Sequence, residues 1–168
     1  MTTPLLMLAI LTVPLLIVWR LRGLGLQVAL ATGGVMGLVL VFLLTASAHF
    51  LDPVALAEML PPFVPARLPL IYLTGVLEIA LAIGIALPAT RRLAGFAAIA
   101  TLIAFFPANV YAAFANAEVG GHAWGPVYLL IRAPLQALLI GWTWWFAVRS
   151  ATPAAAPFAA RSAIAAAP

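Results

Sequence analysis

Five polar side chains stand inside or at the mouth of otherwise apolar segments: His49, Glu78, Asn109, Arg132 and Gln136. A charge near the centre of a bilayer costs about 2.5–3.5 kcal/mol on insertion scales, so such groups must be partnered and are functional by default. A carboxylate, a guanidinium, an imidazole and two amides together can hold a polar headgroup, stabilise a developing charge or pass a proton. Arg132 and Gln136 are four apart and share one helix face. Thr74, Gly75, Glu78 and Ala82 form a second small, polar stripe that lets a neighbouring helix approach closely. An ion pair between Glu78 and Arg132 is the cheapest way to hold both charges, and we expect one. The same pair can equally be structural glue between helices. His49 alone reads as an interface or capping residue rather than a metal ligand, because only one other histidine exists and no carboxylate stands at ligand spacing to it. No metal site is expected.

These residues must be positioned by helices in lipid. The chain has 168 residues, 66% hydrophobic and 7% charged, with a mean hydropathy of +1.19, which excludes a water-soluble fold. A span needs about 20 apolar residues, and five segments approach that: Pro4 to Trp19, Gly23 to Ala48, Pro69 to Leu87, Leu93 to Ala115, and Val127 to Val148. The fold class expected is all-α, a transmembrane helical bundle. Its divisions are an N-terminal helix over 1–22, a four-helix core over 23–149, and a disordered Ala/Pro-rich tail over 150–168. The first segment is followed by Arg20 and Arg22 rather than a small-residue cleavage site, so it reads as a retained helix.

All eight basic residues are arginine and the acids are Asp52, Glu58, Glu78 and Glu118. No arginine run exceeds two, which argues against nucleic acid as a partner. Arg20, Arg22, Arg91, Arg92, Arg149 and Arg161 fall in alternate connections, while Arg67 alone stands with Asp52, Glu58, Glu118 and His122 on the other side. Five spans with the N-terminus outside and the C-terminus cytoplasmic satisfy the positive-inside rule with that one exception, as in a multi-pass protein of a bacterial cytoplasmic membrane. Glu78 is then expected about nine residues, or about 13 Å, below the outer edge. Trp19, Trp142, Trp144 and Trp145 at inner ends, and Tyr72, Tyr111, Trp124 and Tyr128 at outer ends, read as aromatic belts.

Asp52 and Pro53 predict a short interfacial helix, ended by Pro61, Pro62 and Pro65. Gly33 and Gly37 form a GxxxG notch, widened by Gly34, for packing within the chain or, second, for a homo-oligomer. Pro107 frees the carbonyl of Ile103 inside the fourth span, and Asn109 can satisfy stranded backbone groups there. The loop from Asn116 to Pro126 is a lid or an ordinary connection. With no cysteine, the chain itself runs no disulfide or CxxC chemistry.

The runs His49-Phe50, Met59-Leu60-Pro61, Tyr72 to Ile79, Pro88 to Arg92, Phe106 to Val110 and Arg132 to Gln136, in this order and spacing, resemble the DoxX-like family of small integral membrane proteins. The resemblance covers about residues 35 to 147 and implies a four-helix membrane core, with the first helix and the tail as additions. It also implies a quinone-linked or redox-associated role beside a redox partner subunit, because the family takes its name from a small subunit of a thiosulfate:quinone oxidoreductase. Quinone is the ligand implied; no haem or flavin motif accompanies it. Two other functions stand beside this one: a non-catalytic structural or assembly component of the membrane, and a carrier of a small molecule or lipid. Whether the chain is an enzyme is left open by its residues.

Overall fold

The computed structural model describes residues 2–115, 117 and 121–150. Among these there is no strand. The elements are α1 (Thr2–Gly23), α2 (Leu30–Leu51), α3 (Pro53–Glu58), α4 (Arg67–Ala86), α5 (Arg91–Phe114), a 3₁₀ segment (His122–Tyr128), α6 (Leu129–Thr143) and a π-helical turn (Trp144–Arg149). Five of the helical stretches, the last one running from His122 to Arg149, are long and apolar enough to cross a membrane. This is a multi-pass, all-α membrane bundle. The expected tail beyond Ser150, and the loop positions 116 and 118–120, lie outside the described residues.

The first helix runs from Thr2 to Gly23, close to the expected 1–22 and past the apolar run that ends at Trp19, because Arg20 and Arg22 sit in its last turn, where cations favour the negative helix end. The second begins at Leu30, not Gly23. Gly25 takes φ 89°, a left-handed value that glycine adopts freely, and the chain closes a turn there through Leu26 N–H to Leu21 O at 3.1 Å. The short helix α3 forms as expected, with Pro53 in its first turn and the Asp52 carboxylate accepting from Ala55 N–H at 3.4 Å.

Helix α2 is the hub of the packing. On one side it meets α1 through its glycines: a Cβ built on Gly33 would lie 2.7 Å from the backbone of Pro14 and Leu15, and one on Gly37 would overlap the carbonyl of Leu11. Without a hydrophobic drive in lipid, such close backbone approach is what holds helices together. On its other side α2 packs along α4, which continues to α5, which in turn packs on α6 and the π turn. Helices α4 and α6 are therefore diagonal. The apolar core runs between them, from Met7 and Leu11 through Leu38, Val41 and Phe42 to Leu81, Ile85, Leu135 and Leu139.

The π turn closes the bundle at the arginine-rich end. There the Trp142 indole donates to Gly34 O at 3.0 Å, and Phe146 fills the space that a side chain on Gly34 would need. Trp142 is thus a tie between α6 and α2, half-buried rather than part of a lipid-facing belt. Trp19, Trp144 and Trp145 are exposed. At the opposite end Tyr72 and Trp124 are exposed, but Tyr128 is buried, edge-on to His122 with ring centroids 4.8 Å apart. Its loop folds back over it: a Cβ on Gly121 would lie 2.6 Å from the Tyr128 ring. That cover removes Tyr128 from the belt.

Candidate functional site

Glu78, Asn109 and Gln136 are buried, and His49 and Arg132 are partly buried. The five do not form one cluster around a central ion pair. They form two sets, one between α2 and α4 and one between α5 and α6.

The first set starts from Gly75. With no side chain at this point α4 comes close to α2, and a Cβ on Gly75 would stand 2.7 Å from His49 Cβ. His49 is thereby placed one helical turn from Glu78, with its Nε2 at 3.8 Å from Glu78 Oε2. The other ring nitrogen is fixed: Nδ1 lies 2.8 Å from Ile71 O, and since a carbonyl only accepts, Nδ1 carries a proton. Thr74 Oγ1 is 3.1 Å from the same nitrogen and spends its own hydrogen on Leu70 O or Ile71 O, each at 2.9 Å. In the neutral ring Nε2 is therefore the lone-pair acceptor, and it is the nitrogen that faces Glu78. Glu78 Oε2 is buried without a hydrogen-bond partner. The Thr45 hydroxyl is within reach of the Glu78 carboxyl, yet at rest it donates inside its own helix, to Phe42 O at 3.1 Å and Val41 O at 3.2 Å.

The second set is closed on itself. Arg132 Nε donates to Asn109 Oδ1 at 2.9 Å, and Asn109 Nδ2 donates to Phe105 O at 2.9 Å. The arginine fixes which end of the amide is oxygen, because a guanidinium has only donors. Gln136 Nε2 donates to Leu102 O. Pro107 lies in an unbroken α5 and faces outward, so the polar side of that helix is the Asn109 side.

The expected ion pair between Glu78 and Arg132 is not formed; among the described residues the partner of Glu78 within 4.0 Å is His49. The reason is helix order. Arg132 on α6 turns to Asn109 on α5 and Glu78 on α4 turns to His49 on α2, so the two charges take different neighbours. Two participants were not singled out from the sequence: Thr45, four residues before His49, and Tyr128, four before Arg132. The i, i+4 spacing to a polar residue was the available signal in both cases. No group of three or more histidine, cysteine or acidic residues able to hold a metal occurs among the described residues.

Fold and site together define a class: a helical membrane bundle with a polar interior near one end of its spans. Residues 38–147 match a family described as Domain of unknown function (DUF8561), and the chain belongs to that family. The match spans from mid-α2 to the π turn, and so takes in all five polar residues but neither α1 nor the glycine notch that receives it. No curated protein and no solved structure matches the chain.

Proposed function

We propose that the chain is a DoxX-like membrane subunit of a quinone-linked redox complex, in which His49 and Glu78 form the headgroup and proton site. The observation that carries this reading is the buried, unpartnered Glu78 Oε2 facing a histidine whose second nitrogen is already committed. A buried carboxyl without a donor is costly. Donation from the protonated Glu78 carboxyl to a ligand carbonyl, or a proton shared with Nε2 after the two groups close by about 1 Å, relieves that cost. Reduction of a quinone takes two electrons and two protons to give the quinol. The electrons come from a partner subunit, Glu78 with His49 delivers one proton to the nearer carbonyl oxygen, and water or the partner subunit supplies the second proton to the other oxygen.

A second reading has its own support. The bonds His49 to Ile71 O, Arg132 to Asn109 and Gln136 to Leu102 O each join two helices, as a purely structural component requires. Binding of a short-chain quinone analogue to the purified full-length protein separates the two. The proposal expects saturable binding that is lost in Glu78→Gln with the helical fold intact. Equal binding by wild type and variant, or none by either, leaves the structural reading.

A further inference from the structure

The arginine-rich end holds a second feature. Arg20 and Arg22 close α1, and with Trp19, Gly23 and Leu30 they line a hollow of about 440 Å³ where the chain turns into α2. Both arginines and Trp19 are exposed, and a Cβ built on Gly23 or Gly25 meets nothing within 4 Å, so the turn leaves the space open. Among the described residues the charge there meets no counter-charge. Asp52 and Glu58 sit at the other end of the spans and Glu78 is interior, so no carboxylate lies within 4.0 Å of Arg20 or Arg22 among the described residues. Two other arginines of this end are already engaged. Arg91 is spent on the last carbonyls of α4, Ile85 O at 2.9 Å and Ala86 O at 3.0 Å, and Arg149 lies over the Trp145 ring at 4.3 Å.

We propose that this hollow binds the phosphate headgroup of an anionic phospholipid. Two guanidinium groups supply charge and hydrogen-bond donors suited to phosphate oxygens. Trp19 fits the headgroup level of a bilayer, and the apolar flank at Leu30 continues into the lipid-facing surface, where acyl chains run. This apolar flank points to a lipid rather than free phosphate. The site is at the far end from His49 and Glu78 and is independent of the redox reading.

The test titrates the full-length protein in mild detergent with phosphatidylglycerol, phosphatidylcholine or inorganic phosphate, counting bound lipid by native mass spectrometry and following thermal unfolding. Wild type is expected to retain phosphatidylglycerol over phosphatidylcholine. Arg20→Gln with Arg22→Gln should weaken phosphatidylglycerol about 30-fold, because both guanidinium charges that face the phosphate are removed. Arg92→Gln, at the same end but off the hollow, should change it less than about twofold. Equal retention of the two lipids by wild type overturns the proposal, and so does a loss in Arg92→Gln as large as in the double variant. Saturation by inorganic phosphate at lipid-like concentrations overturns the lipid assignment. Should the double variant fail to fold, the wild-type comparison of the two lipids decides.

Discussion

On the α5–α6 side of the bundle, Arg132, Asn109 and Gln136 are joined by hydrogen bonds that end on the backbone of α5. On the α2–α4 side, His49 and Glu78 approach to 3.8 Å and leave a buried carboxyl oxygen without a donor. Both sets are interior to the bundle, with Glu78, Asn109 and Gln136 all buried, so burial does not distinguish them. The difference is saturation. A closed network contributes stability and has little left to offer a ligand, whereas an open carboxyl is a standing cost that binding or proton transfer removes.

The comparison breaks first if the closed side proves dispensable. Asn109→Leu leaves the Arg132 Nε–H without its acceptor and should lower stability by about 1.5–3 kcal/mol, the range for hydrogen bonds to charged groups, read by denaturation in detergent. Gly75→Val should cost about 2 kcal/mol by overpacking against His49 and Phe50, and by forcing α2 away it should also abolish ligand binding at the open side. Gln136→Leu removes one interhelical bond, for about 0.6–1.7 kcal/mol by the measured range for such bonds in membrane proteins, without loss of binding. Glu78→Gln is expected to have the smallest effect on stability, within about 0.5 kcal/mol or slightly favourable, because it keeps the side chain's shape and supplies an amide donor where the carboxyl oxygen lacked a partner. Thermal unfolding and quinone-analogue binding, measured on the same four proteins, give the two rankings that the comparison requires to differ.

Much of the architecture was legible in the residues. Five apolar stretches of spanning length, the Asp52-Pro53 start of α3 and the small residues of α2 and α4 all follow from local rules of length, capping and packing. The start of α2 was not, because the left-handed Gly25 that delays it to Leu30 looks from sequence like any glycine near an apolar run. Among the polar residues, pairing was not readable. Pairing depends on which helices are neighbours, and α4 and α6 are diagonal, so the expected bond between Glu78 and Arg132 gave way to two bonds with adjacent helices. Tyr128 shows the same limit: its position at a span end fits a belt, but the fold of the loop from Gly121 buries it.

The most direct measurement is infrared difference spectroscopy of the carboxyl band on adding a quinone analogue, since Asp52 and Glu58 are exposed and Glu78 is the buried acid among the described residues. The account predicts a ligand-induced change in a carboxyl band that is present in wild type and missing in Glu78→Gln. A band that does not respond to the ligand in wild type, or one that responds equally in the variant, contradicts it.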